Sequence, residues 1–191
     1  EKSYQHWVSP VYQKPPTLVP RHLRMEVDER INARGGVLRP LERAGVADAI
    51  HWFRRHKVQA VAVCLLHSYA NPVHEEEIGE IFAKEAPEIY VTLSHRILRE
   101  YSEYERTMSA VMNSYIQPKV QDYLDHLQEN LQNEGFSQRF LLLRSSGGAM
   151  SFTEARESPI FTLMSGPAGG VLGASRLSAA TKLRRAGYHF P

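Results

Sequence analysis

The run Leu163-Met164-Ser165-Gly166-Pro167-Ala168-Gly169-Gly170-Val171-Leu172-Gly173-Ala174 sets four glycines and a proline at the head of a stretch of small residues. Such a run reads as a turn opening onto a helix. Glycine leaves backbone N–H groups uncovered, and the helix behind adds the positive end of its dipole, so the turn suits an anion such as a phosphate. A competing reading is close helix packing through Gly169, Gly170, Gly173 and Ala174, which needs no ligand. On this stretch alone both remain open.

Just upstream, Phe140-Leu141-Leu142-Leu143-Arg144-Ser145-Ser146-Gly147-Gly148-Ala149-Met150-Ser151 passes from a continuous apolar run to hydroxyls and two glycines. The pattern predicts a strand buried on both faces with a small-residue loop at its carboxyl end. Ligands of open α/β sheets bind outside the carboxyl ends of strands, so Ser146, Gly147 and Gly148 are expected to face Ser165, Gly166, Gly169 and Gly170 across one crevice. Neither Ser146 nor Ser165 sits in a G-x-S-x-G elbow, and serine before glycine reads as turn chemistry or a phosphate contact rather than a nucleophile.

The order of elements further back is βαβ. Pro10, Pro15, Pro16 and Pro20 predict an extended surface segment. Met25 to Ile31 reads as a strand, Arg34-Gly35-Gly36 as its turn and Val37-Leu38 as its partner. Val46, Ala49, Ile50 and Phe53 recur at helical spacing and predict a helix over 42–56. Val58 to Leu66 is β-rich and reads as a central parallel strand. Asn71 as N-cap and Pro72 at the first helical position launch a helix to about Glu85, and Tyr90 to Leu93 is a further strand. The fold class expected is therefore α/β, with a layered mixed or parallel sheet and helices.

Beyond Tyr101, Ser102-Glu103-Tyr104-Glu105 has the form of a capping box. It opens a helix with Met108, Val111, Met112, Tyr115 and Ile116 on one apolar face. Pro118 is expected to break or kink it, after which Val120, Tyr123, Leu124, Leu127 and Leu131 carry the apolar face on to Gly135. Ser151 and Glu154 cap a short helix. Glu103, Glu105 and Arg106 could form an acid–base set, but the simpler reading makes Glu105 part of the cap and puts Arg106 on the solvated face.

Composition narrows the function classes. The chain has 191 residues, 42% of them hydrophobic, and a formal charge of +2, which argues against nucleic acid or a membrane surface as partner. No apolar run approaches the roughly 20 residues of a membrane helix, and a cytoplasmic location is expected. The basic cluster Lys182, Arg184 and Arg185 reads as a solvated helix end. Cys64, the one cysteine, lies in an apolar run and reads as a core residue. His67, His74, Glu75, Glu76 and Glu77 have the chemistry of metal ligands, but on a strand-to-helix turn they fan in different directions, so no metal site is assigned.

Taken with His67-Ser68-Tyr69-Ala70-Asn71-Pro72-Val73-His74-Glu75 and Glu103-Tyr104-Glu105-Arg106-Thr107, the glycine segments resemble the hydantoinase A/5-oxoprolinase family, which includes N-methylhydantoinase subunits and the related subunit of acetone carboxylases. The match in order and spacing runs from Leu18-Val19-Pro20-Arg21 through Ala174. The resemblance implies a partial actin-like, ribonuclease-H-like ATPase fold. It divides the chain into 1–100, the C-terminal part of the family's N-terminal domain, and 101–191, the start of its central domain, with the long helix bridging two lobes.

For the complete protein the resemblance implies ATP-dependent opening of a cyclic amide, with phosphorylation of the amide oxygen making the carbonyl a better target for water. An ATP-dependent ketone carboxylase subunit and a non-catalytic assembly fragment are the alternatives. ATP and Mg²⁺ are the implied cofactors, a small cyclic amide the substrate, and a hydantoinase B-type subunit or domain the partner. The family's acidic D-x-G-G-T phosphate loops do not occur in these residues. An internal fragment is therefore expected, its catalytic residues unassigned. Arg144-Ser145-Ser146 also departs from the family's usual glutamine, serine, then asparagine or aspartate.

Overall fold

The computed structural model describes residues 17–181. Pro10, Pro15, Pro16, the cluster Lys182, Arg184 and Arg185, and the tail to Pro191 lie outside the described residues. The described part is mixed α/β, with six helices and three two-stranded sheets.

After a 3₁₀ turn at Arg21–Leu23, strands β1 (Arg30–Ile31) and β2 (Val37–Arg39) form an antiparallel hairpin. Its turn is held by Asn32, whose Oδ1 accepts the N–H groups of Arg34 (2.9 Å) and Gly36 (3.0 Å), while Gly35 takes φ +83°. The strand expected from Met25 shrinks to two residues because the segment before it bonds elsewhere. Asp28 O accepts from Glu42 N–H (2.9 Å) and His22 O from the Trp52 indole (3.0 Å).

Helix α1 (Arg43–Arg55) buries Val46, Ala49, Ile50 and Phe53, the face its periodicity predicts. Strands β3 (Ala60–Val63) and β4 (Tyr90–Leu93) pair in parallel, and helix α2 (Val73–Glu85) crosses between them. β3 stops well short of Leu66, because the Leu65 N–H leaves the ladder to bond a Glu75 carboxylate oxygen at 2.9 Å. Nor is β3 central among the described residues, since β4 is its single partner. Pro72, rather than Asn71, occupies the N-cap of α2; Asn71 Oδ1 still accepts the Val73 N–H (3.1 Å), and its Nδ2 donates to Gly35 O (2.8 Å). One core unites these elements, with Val46, Ile50, Phe53, Ile78, Phe82 and Leu93 at its centre.

A four-residue helix, α3 (Ser94–Ile97), leads into α4 (Glu103–Asn133), 31 residues and about 46 Å long at 1.5 Å per residue. Pro118 lies inside α4 and does not end it. Gly135, at φ +83°, closes the helix, with Phe136 N–H reaching back to Leu131 O (2.9 Å). Ser102 is the N-cap but makes no side-chain cap bond, so the expected capping box does not form.

The buried face of α4 overturns the apolar pattern. Arg106, Ala110, Asn113, Ser114, Gln117 and Leu124 are buried, whereas Met112, Tyr115 and Tyr123 are exposed. Asn113 and Gln117 hold this face because their amides find partners in the layer beneath. Thr92 Oγ1 on β4 accepts from Asn113 Nδ2 (3.0 Å) and donates to Gln117 Oε1 (3.2 Å).

Beyond α4, strands β5 (Leu141–Leu143) and β6 (Ala149–Ser151) form an antiparallel hairpin, followed by α5 (Phe152–Glu157), a 3₁₀ turn at Pro159–Thr162 and α6 (Ser165–Thr181). The expected doubly buried strand is corrected: Leu141 and Leu143 are exposed, and Leu142 alone packs inward on this strand. The Ser151–Glu154 capping box at α5 is complete. Leu124 of α4 joins Met150, Phe152 and Ala155 in a second core.

Candidate functional site

The structure brings the two glycine segments together. Arg144 to Gly148 is the hairpin turn between β5 and β6, closed by Arg144 N–H to Gly148 O (3.1 Å) and Gly147 N–H to Arg144 O (3.0 Å). Gly147 and Gly148 take φ of +87° and +82°, a region open to glycine and costly for other residues. The loop thus follows an antiparallel strand, not the end of a parallel one.

Ser145 joins this turn to the segment before α6. Its N–H donates to Phe161 O (2.7 Å), and its hydroxyl lies against the carbonyls of Phe161 (2.8 Å) and Leu163. The Arg144 guanidinium stacks over the Phe161 ring, 4.8 Å from its centroid. The same segment is fixed from below by α4: Asn113 Nδ2 donates to Glu157 O and its Oδ1 accepts the Ile160 N–H, both at 3.1 Å, and Gln117 Nε2 donates to Arg156 O (3.1 Å). Apolar periodicity gave no signal for either amide.

Ser165, Gly166, Gly169 and Gly170 lie within α6 rather than in a turn ahead of it, the turn falling at Leu163 and Met164, where Met164 has φ +65°. Ala168 N–H bonds back to Met164 O (3.2 Å) and Pro167 has no N–H, so Ser165 and Gly166 carry the donors that the first turn leaves for an outside acceptor. The glycines divide by surroundings. A Cβ on Gly169 would sit 2.5 Å from Leu143 Cδ1 and one on Gly147 3.4 Å from Leu172 Cδ1, so packing between hairpin and helix accounts for both. Gly166 and Gly148 have nothing within 4 Å of a Cβ, and Ser146 beside Gly148 is exposed.

A second polar constellation sits under the loop after β3, centred on Glu75 of the histidine–glutamate run. Glu75 is fully buried. It accepts from Leu65 N–H (2.9 Å), Ser94 Oγ (2.6 Å) and His95 N–H (3.1 Å), with His95 Nδ1 at 2.7 Å. Burial pushes its carboxyl up, but His95, Ser94 and the backbone donors outweigh that and hold it below the ordinary carboxylate value. Ser68 Oγ extends the set to Ser94 Oγ at 3.2 Å.

Arg106, expected on the solvated face, is 1% exposed. Its guanidinium donates to Glu100 O (2.8 Å) and Leu65 O (3.1 Å) and lies 5.6 Å from the Tyr69 ring centroid, which ties the start of α4 to the same loop. Of the rest of the histidine–glutamate run, His74 Nδ1 meets Glu29 (2.6 Å), Glu77 meets Arg43 (2.6 Å) and His67 lies edge-on to Tyr69, while Glu76 shares His95 with Glu75, its Oε1 3.8 Å from His95 Nε2. Among the described residues no group of three His, Cys, Asp or Glu side chains is placed to hold a metal ion. No described helix is long and apolar enough to cross a membrane.

Comparison with known proteins gives this mixed α/β chain a family. Two models of one family match it: the Hydantoinase/oxoprolinase N-terminal region over residues 2–86 and Hydantoinase/oxoprolinase over residues 106–186. The chain belongs to the hydantoinase/oxoprolinase family.

It is 33% identical over 170 residues to the acetophenone carboxylase gamma subunit of Aromatoleum aromaticum, covering 86% of this chain and 23% of that one. It is 32% identical over 163 residues to the caprolactamase subunit alpha of Pseudomonas jessenii, covering 85% and 23%. The crystal structure of the ATP-dependent caprolactamase from Pseudomonas jessenii superposes with a TM-score of 0.80 at 30% identity, over 93% of this chain and 26% of that one. The chain thus spans about a quarter of the length of these relatives.

Proposed function

We propose that this chain is the part of an ATP-dependent cyclic-amide hydrolase that contributes one wall of the nucleotide site, within an actin-like ATPase fold that divides near Tyr101. The observation that carries the reading is the hook made by Ser145, which sets the hairpin glycines beside the start of α6. The ATP-dependent caprolactamase, matched over 93% of this chain, supports it.

The residues fit a phosphate at two places. Ser165 and Gly166 offer backbone N–H groups at the positive end of a 17-residue helix with no acidic residue in its first turn. Gly148, open above its Cα, and exposed Ser146 offer a hydroxyl and close backbone approach from the other side. ATP, when bound, would supply the phosphoryl group to the amide oxygen, which makes the carbonyl carbon a better target for water. These residues hold and orient phosphates; Mg²⁺ is proposed as the nucleotide's counter-ion, with no ligand assigned here, and a hydantoinase B-type subunit and a cytoplasmic location belong to the same proposal.

A ketone carboxylase subunit is the second reading, favoured by the 33% identity to the acetophenone carboxylase gamma subunit. Both share the nucleotide site, and assays on caprolactam-like amides against ketones with bicarbonate separate them.

Calorimetric titration with Mg-ATP tests the site. Gly166→Glu is the informative variant, because its added atoms meet open space and a carboxylate suits a first helical turn, yet its charge repels phosphate. Binding by the native chain, lost in Gly166→Glu with unchanged thermal stability, supports the nucleotide wall. Equal binding by both, or by neither, rejects it and leaves the chain as an assembly fragment.

A further inference from the structure

Strands β3 and β4 run parallel in register from Ala60↔Tyr90 to Val63↔Leu93, so their carboxyl ends lie side by side. Open α/β sheets place ligands at such ends. Here β3 leads to His67 and Ser68, and β4 leads straight into Ser94 and His95. His67 holds φ +62°, a costly conformation for a residue with a side chain and one that clusters at functional sites. Ser68 and Ser94 are buried, with their hydroxyl oxygens 3.2 Å apart.

His95 is the member of this set with chemistry left to offer. Its backbone N–H and its Nδ1 are both spent on Glu75 Oε2, at 3.1 and 2.7 Å. The donors around Glu75 keep its carboxyl ionised, so Nδ1 of the neutral ring carries the proton and Nε2 is left as an acceptor. Nε2 has no hydrogen-bond partner among the described residues; Glu76 Oε1 stands 3.8 Å off, on a half-exposed side chain. An imidazole aimed by a buried carboxylate is the arrangement of a proton acceptor.

Helix α4 carries this set and the glycine wall on one buried face. Arg106 holds the loop after β3 through Leu65 O (3.1 Å), and Asn113 holds the Ile160 N–H ahead of α6 (3.1 Å). The seven residues between these anchors are about 10 Å of helix, a gap that a small ring with a phosphate beside it can bridge.

We propose that His95 Nε2 is the base that takes the N–H proton of the cyclic amide while its oxygen is phosphorylated. The assignment rests on the cyclic-amide reading. The amide oxygen bonds the γ-phosphorus of ATP, and the diphosphate leaves with the electron pair of the old P–O bond. The N–H pair becomes a C=N bond, the carbonyl π pair is released to oxygen, and the proton stays on Nε2. Glu75 positions the ring. A ring with oxygen in place of N–H has no proton to give and is disfavoured.

The full-length protein tests this with caprolactam, hydantoin and 5-oxoproline as probes. In His95→Gly, lactam-dependent ADP formation is expected to fall at least about a hundredfold, with Mg-ATP affinity within about twofold of native. Added imidazole is expected to restore turnover, and 1,2,4-triazole, of the same shape but a far weaker base, is not. Calorimetry is expected to show native protein binding a lactam at least about tenfold tighter than the analogue with ring oxygen in place of N–H, a preference lost in His95→Gly. His95→Gln, which keeps a donor for Glu75, takes its place if the glycine variant does not fold. Turnover within about threefold of native in the variant, rescue by both azoles or by neither, or no preference for the lactam overturns the assignment and leaves the cyclic-amide reading standing. No lactam-dependent ADP formation by the native protein removes that reading, and His95 as its base falls with it.

Discussion

Replacing Glu75 is the most searching perturbation of this fold. Its carboxylate accepts from Leu65 N–H at 2.9 Å, Ser94 Oγ at 2.6 Å and His95 N–H at 3.1 Å, and it meets His95 Nδ1 at 2.7 Å, all with no exposure to water. Glu75→Ala strands those donors around a void, for a loss of about 3–5 kcal/mol. Glu75→Gln keeps the shape but turns an NH₂ toward groups that also donate, and about 2–3 kcal/mol is expected. Against a urea dependence of about 2 kcal/mol per molar, the alanine variant lowers the unfolding midpoint by roughly 2 M and the glutamine variant by roughly 1 M.

The pH dependence is a second signature of the same group. Because the folded carboxyl is held below its ordinary value, Glu75 contributes stability above the unfolded pKa and loses it as pH falls through the folded pKa. Glu75→Gln removes that part of the acid slope. A Glu75→Gln midpoint within about 0.3 M of the native one, with an unchanged acid slope, refutes the reasoning.

Asn113→Ala frees the Ile160 N–H and Glu157 O, so a loss of about 2–4 kcal/mol in chemical unfolding is expected together with weaker Mg-ATP binding, as the segment ahead of α6 loosens. Gly147→Ala forces a Cβ into φ +87° and costs about 1–2 kcal/mol by thermal unfolding. Burial pushes the Cys64 thiol up to about 12, so at pH 8 iodoacetamide is expected to label the folded chain about a thousandfold more slowly than the urea-unfolded one.

What the sequence showed and hid follows from the kind of contact. α1 was legible because burial alone decides its inner face, and Val46, Ala49, Ile50 and Phe53 record it. β3 and β4 were legible as β-rich runs, but β3 ends early because one carboxylate ten residues on captures the Leu65 N–H. α4 was misread because its hydrophobic stripe lines an open groove while amides bond the layer beneath. Leu141–Leu143 was misread because a three-residue hairpin strand and a doubly buried one look alike until the partner strand is known. At the candidate site, the proximity of the two glycine segments was anticipated; the Ser145 hook and the division between packing and open glycines depend on distances no pattern encodes.

The amide face of α4 has one more consequence. A helix seated by aliphatic side chains can slide or roll by a fraction of a turn and exchange one apolar neighbour for another. Asn113 and Gln117 forbid it: a shift of one residue swings each side chain about 100° around the axis and severs the bonds to Thr92, Arg156, Glu157 and Ile160 together. The long helix is indexed like a toothed rack, so the residues before α6 sit at one fixed notch relative to β4, and any rearrangement of the glycine wall must move as a click between discrete settings rather than as a glide.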